Sequence, residues 1–167
     1  MSRRGTPGLR AAAGVALLFA VAFNGGGAAY VDAGQAAARS ISVEEYRALR
    51  QEVSRLTVQT VGVLNRLALI VARDPDVRRN PRFLDDLGAV TGAIAMLVEV
   101  LRAAEPVPDA LRASHEALRE GFARYGEAAR ALLPPEEGGP AKFEFALFQE
   151  AMLAGGARLH QSDDLLP

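Results

Sequence analysis

The sequence predicts an all-α protein: an up-down antiparallel four-helix bundle preceded by an N-terminal signal or anchor helix. Half of the 167 residues are hydrophobic, and apolar side chains recur at alternating steps of four and three within long segments. That spacing is typical of a bundle or a coiled coil. Short connections between long helices make sequential neighbours antiparallel. The chain has no cysteine, so we expect packing alone to stabilise it.

The N-terminus has the layout of a secretory signal. Three arginines precede an uncharged apolar run over residues 11–23, which a glycine triplet follows closely. Signals have a basic start, an apolar middle of about 7–15 residues and a small-residue exit, whereas a membrane span needs about 20 apolar residues. We predict a signal peptide over residues 1–33, cleaved before Gly34 or after Ala28 or Ala29. An uncleaved membrane anchor is the alternative.

The first helix of the bundle follows a flexible exit over residues 34–41. Ser42 and Glu45 form a capping box at its start, and it ends before Pro75, because the residue preceding a proline avoids the helical conformation. We expect the apolar end of this helix, residues 61–71, to be its more deeply buried part, or to leave a docking surface. The predicted inward stripe comprises Leu49, Val53, Leu56, Thr60, Val63, Leu67 and Ile70.

Prolines mark the starts of the other three helices. Pro81, after a capping Asn80, opens the second helix, Pro108 the third, and a helix beginning near Pro140 completes the bundle. We place the bundle at residues 42–160.

Two features of the sequence predict that the C-terminal helix is less regular and ends early. Gly155 and Gly156 adjoin within it, so its last turns are expected to fray or bend. Residues 161–167 are polar and lie at the terminus, where chains are often poorly ordered. They are predicted to form a loose tail.

His115 is the first candidate for a functional residue. It lies on the apolar stripe of the third helix, and its charge changes near neutral pH, so it could orient a ligand or sense pH. A histidine on such a stripe is more often a buried structural residue, which is the interpretation we favour. A pocket beside it would use small and aromatic residues, which the same pattern also assigns to a close-packed core: Gly88, Gly92, Phe122, Tyr125, Phe145 and Phe148.

Several function classes are excluded by composition and motifs. After the first 33 residues, 16 basic and 19 acidic residues remain, a balance of −3, whereas nucleic-acid binding needs a concentrated basic face. No hydrolase elbow, phosphate loop or metal-binding spacing occurs. We therefore predict no catalytic residues, no cofactor and no metal.

The third and fourth predicted helices form a hairpin with a recognisable pattern, carried by Pro108, Leu111, His115, Leu118, Tyr125, Ala128, Ala151 and Gly156. Over about a third of the chain, this hairpin resembles that of uncharacterised exported bacterial helical-bundle proteins. The resemblance implies a fold and a compartment and brings no catalytic residue.

Together these features favour a non-enzymatic protein of the bacterial envelope, periplasmic or extracellular, that serves as a structural or protein-interaction module. The alternative is a carrier or sensor for a small apolar ligand, with an inter-helix pocket near His115. Contact with a membrane is expected only through the N-terminal segment, if it stays uncleaved.

Overall fold

A computed structural model describes residues 41–134 and 143–167. The described residues form four α-helices, one 3-10 helix and no strand, which confirms the predicted all-α class. The helices are α1 (Val43–Arg73), α2 (Pro81–Ala103), α3 (Asp109–Ala131) and α4 (Phe145–Asp164), and the 3-10 helix is Pro75–Arg79. The predicted signal over residues 1–33 and the predicted helix start at Pro140 lie outside the described residues.

The first two helices begin as the sequence predicts. The Glu45 amide donates to Ser42 Oγ at 3.2 Å, and the Ser42 amide donates to Glu45 Oε2 at 2.8 Å, which completes the capping box. Asn80 accepts from the Arg82 amide at 2.9 Å, and Pro81 is the first residue of α2. These caps satisfy amides that the first helical turn leaves without partners.

The last helix differs from its prediction. It runs through Gly155 and Gly156 without a break and ends only at Asp164. The prediction of a loose tail is therefore wrong for residues 161–164. The reason is Ser162, which is fully buried against α3 and fixes the last turn.

The inward face of α1 departs from the predicted stripe only towards its C-terminal end. Val53, Thr60 and Leu67 are buried as predicted, but Ile70 is 40% exposed, and Leu64 and Val71, outside the predicted stripe, are buried. Because this end of α1 is apolar on nearly every side, periodicity alone does not choose the face that packs inward. The apolar stripe of α3, on which the sequence places His115, is buried along its length. With steps of four and three, it comprises Leu111, His115, Leu118, Phe122, Tyr125 and Ala129, and the buried Leu132 directly after the helix continues it.

By length and composition, α1 is the one helix among the described residues that could cross a membrane. Its most apolar window has a mean hydropathy of 1.2, and 33% of that window is buried inside the protein. Core helices of water-soluble proteins meet the same criterion, so this property assigns α1 to neither environment.

The closest helix crossing joins α3 and α4. A Cβ atom added at Gly155 would lie 2.7 Å from Tyr125 Cε1 and 3.2 Å from the Gly121 carbonyl oxygen. A Cβ atom added at Gly121 would meet the Leu159 side chain and lie 3.2 Å from the Gly155 carbonyl oxygen. The two backbones therefore touch at glycines, because any larger side chain would separate the helices.

We expect Gly155→Ala to destabilise the protein by about 1–3 kcal/mol, because overpacking at the crossing exceeds the gain of up to about 1 kcal/mol in helix propensity. Gly92→Ala is the matched control, since Gly92 is helical and a Cβ atom there meets no described atom within 4 Å. The control should be as stable as the wild type or more so. Urea unfolding measures both changes, and equal stability of the two variants would contradict the tight crossing.

Candidate functional site

A partly buried polar cluster joins α1, α3, α4 and the turn that follows α2. The start of α1, the turn after α2, the first half of α3 and the end of α4 each contribute side chains to it. We call this group the end cluster. It comprises Tyr46, Arg50, Glu105, Ser114, His115, Arg119, Ser162 and Asp163.

Two serines lock α3 to α4 within the end cluster. Ser114 Oγ donates to the Ser162 carbonyl oxygen at 2.7 Å, and Ser162 Oγ donates to the Ser114 carbonyl oxygen at 2.7 Å. Both residues are 0% exposed. A reciprocal pair of this kind satisfies two buried hydroxyls and fixes the distance between the backbones.

Arg50 connects α1 to this pair of serines. Its Nη1 donates to Ser162 Oγ at 2.7 Å, and its Nη2 forms an ion pair with Asp163 Oδ1. The Arg50 side chain is 9% exposed, whereas that of Asp163 is 64% exposed. The aliphatic stem of Arg50 is therefore buried while the charge is neutralised near the surface.

His115 occupies the other half of the end cluster. Its Nδ1 lies 3.3 Å from the Tyr46 hydroxyl, and its Nε2 lies 3.6 Å from Glu105 Oε1. The second distance is just beyond hydrogen-bonding range, so Nε2 has no hydrogen-bond partner among the described residues. Glu105, in turn, is held by an ion pair with Arg119.

This geometry favours one tautomer of the neutral His115 ring. A carboxylate faces Nε2, so the neutral ring is best placed with its proton on Nε2 and its lone pair on Nδ1. Tyr46 then donates its hydroxyl proton to Nδ1. Because both side chains are buried, this single bond satisfies the Tyr46 donor and the His115 acceptor.

Burial sets the protonation states of both rings. Burial lowers the pKa of His115 below 6.5, although Glu105 acts in the opposite direction. Burial also raises the pKa of Tyr46 above 10.0, against the effects of Arg50 and Ser114. Both rings are therefore neutral at neutral pH, and with 2% and 0% exposure they offer no surface to a substrate.

The other predicted pocket residues fall into two groups. Phe122, Tyr125 and Phe148 are buried in the hydrophobic core, and Phe145 is partly buried against it. Gly88 and Gly92 lie on the exposed face of α2, and a Cβ atom there meets no described atom within 4 Å. The prediction of close contact at these two glycines is thus corrected: the close crossing uses Gly121 and Gly155, because α3 and α4 are the helices that meet at glycines.

Two cavities lie among the described residues, and neither is lined by His115. The smaller, about 30 Å³, lies beside Arg50 and Leu118 and has room for one water molecule. The larger, about 620 Å³, is an open groove between α3 and α4, lined by Arg124, Arg130 and Leu147 among others. Among the described residues, no group of three or more histidine, aspartate or glutamate side chains could hold a metal ion.

Sequence reasoning identified His115 but missed Arg50, Ser114 and Ser162. Arg50 lies one position after Leu49 of the predicted stripe, where an arginine is normally expected to face water. Ser162 was assigned to the loose tail. The one available signal was the adjacency of Ser114 to His115 on the buried face of α3.

The chain matches no protein-family model, no curated protein and no solved structure. The resemblance of the α3–α4 hairpin to uncharacterised exported bacterial proteins therefore stays a prediction.

We expect Ser162→Ala to lower the free energy of unfolding by about 1–3 kcal/mol, because it removes the acceptor of Arg50 and the donor to the Ser114 carbonyl. Ser54→Ala is the matched control: Ser54 is an exposed serine on α1, and alanine favours helix. Thermal and urea unfolding compare the two. If Ser162→Ala unfolds like the control, the end cluster contributes no measurable stability.

Proposed function

We propose that this chain is an exported, non-enzymatic helical-bundle protein of the bacterial envelope that binds a protein partner through the outer face of α1. The observation that carries the proposal is an uncharged stripe on that face, formed by Val58, Gly62, Asn65 and Leu69. We call it the α1 outer stripe.

The α1 outer stripe is open to solvent among the described residues. Val58 is 72% exposed and Leu69 is 52% exposed. A Cβ atom at Gly62, between them, meets no described atom within 4 Å. The steps of four, three and four place these residues on one side of the helix, and Val58 and Leu69 lie about 16 Å apart at 1.5 Å per residue. Exposed apolar surface of this kind is common at protein-binding sites.

We also propose that the four helices are arranged as an up-down antiparallel bundle. The end cluster supports this arrangement, because it contains residues from the start of α1, the turn after α2, the start of α3 and the end of α4. These are the termini that an up-down bundle brings to one end. The short connections after α1 and α2 agree with it.

The envelope location rests on the N-terminal sequence. Its basic start and its apolar run over residues 11–23 are typical of a secretory signal. The absence of cysteine does not conflict with an oxidising compartment, since packing and the end cluster stabilise the described helices without disulfides.

The docking role is tested by introducing a negative charge at each of two exposed leucines and comparing the two variants. Leu69→Glu places a charge in the α1 outer stripe, while Leu153→Glu places it on α4 at a leucine that is 75% exposed. Both variants should fold like the wild type, because neither site is buried. Quantitative crosslinking in the native host should show that Leu69→Glu loses a specific partner, which Leu153→Glu retains. Equal retention by both variants would refute the stripe as the docking surface.

The location is tested separately by mass spectrometry of the full-length gene product in cell fractions. We expect a chain that begins near Gly34 in the envelope fraction, or an intact chain in the membrane if the anchor is kept. An intact chain in the cytosol would contradict export.

A further inference from the structure

We propose that the end cluster is an acid-sensitive clasp: neutral His115, through its bond to Tyr46, holds the start of α1 against α3 and the end of α4, and protonation of His115 releases it. This inference is independent of the docking role proposed for α1. It rests on the placement of the ring and on the groups that face it.

The His115 ring is buried, and a second proton on it would disturb its bond to Tyr46. The ring is 2% exposed, its Nδ1 lies 3.3 Å from the Tyr46 hydroxyl, and its Nε2, 3.6 Å from Glu105, makes no hydrogen bond to any described residue. In the protonated ring both nitrogens are donors. Nδ1 could then no longer accept the Tyr46 hydroxyl proton, and that bond would be lost or reversed.

Burial opposes an added positive charge more strongly than the neighbouring carboxylates favour it. Desolvation lowers the pKa of His115 most, Arg119 also lowers it, and Glu105 and Glu116 raise it. Glu105 is the carboxylate nearest to the ring, but it already pairs with Arg119 and its side chain is 42% exposed. Water therefore screens much of its attraction for the ring. The titratable and charged groups that face the ring or its hydrogen-bond partner are Tyr46 and Arg50 on α1, Glu105 in the turn, Glu116 and Arg119 on α3, and Asp163 of α4 through Arg50.

Tyr46 connects the ring to α4. Once Nδ1 carries a proton, the buried Tyr46 hydroxyl needs another acceptor. The Ser114 hydroxyl lies close enough to interact with Tyr46. That hydroxyl already donates to the Ser162 carbonyl and lies 3.2 Å from Ser162 Oγ. A proton added at His115 thus perturbs the bonds that hold the end of α4, which is 47 residues away in the chain.

The direction of the pH effect follows from the lowered pKa of His115. A histidine whose pKa is lower in the closed state binds protons more tightly when the clasp is open. Stability of the closed state is therefore complete above pH 6.5, the ordinary pKa, and decreases as the pH falls below it. At pH 5.5, one unit lower, the open population can rise by up to about tenfold.

Hydrogen exchange followed by mass spectrometry tests the proposal on the full chain at pH 7.5 and pH 5.5, corrected for the pH dependence of chemical exchange. We expect a rise in opening of several-fold, and of at most about tenfold, in peptides from the start of α1 and the end of α4. The middle of α2 should not change. The His115→Gln variant, which cannot titrate, should show no such rise. An equal rise in His115→Gln, or none in the wild type, would overturn the proposal.

A second measurement needs no variant. The nitrogen chemical shifts of the His115 ring should report a neutral ring with its proton on Nε2 at pH 7, and a titration midpoint below pH 6.5. A His115 midpoint at or above pH 6.5 would overturn the clasp even if His115→Gln fails to fold.

Discussion

The reciprocal bonds between Ser114 and Ser162 fix the position of α4 on α3, and the rest of the end cluster is built on that pair. A buried hydroxyl or guanidinium costs free energy unless it is paired. Each member of the cluster therefore depends on its neighbours: Arg50 needs Ser162, and Tyr46 needs His115. Because these bonds are directional, they specify which helix ends meet, which apolar packing alone does not do.

The two halves of α1 serve different purposes in this arrangement. The first half carries Tyr46 and Arg50 into the end cluster, so its position is fixed by polar bonds. The second half is apolar on nearly every side and buries Leu64, Leu67 and Val71 against the core. The surplus of apolar residues leaves the α1 outer stripe exposed. The two proposals therefore assign different parts of α1 to different roles: a pH-responsive end and a docking face.

Local sequence signals predicted the starts of α1 and α2 and the buried stripe of α3. The capping box at Ser42 and the proline at the start of α2 act within one turn, so the sequence suffices to identify them. Contacts between distant residues were not predictable in this way. The spacing of Gly88 and Gly92 indicates a small-residue face, but it does not say whether another helix packs on it. Ser162 has polar neighbours, and only its partner on α3, 48 residues earlier in the chain, makes it part of the interior.

A double-mutant cycle between Arg50 and Ser114 tests most directly whether the end cluster acts as one unit. The two side chains share Ser162 as a partner, so Arg50→Met and Ser114→Ala should be non-additive. The cooperative account predicts a coupling of about 0.5–3 kcal/mol in the free energy of unfolding. Additive effects, within the error of the unfolding measurement, would show that the helix ends are held by independent contacts and would contradict the account.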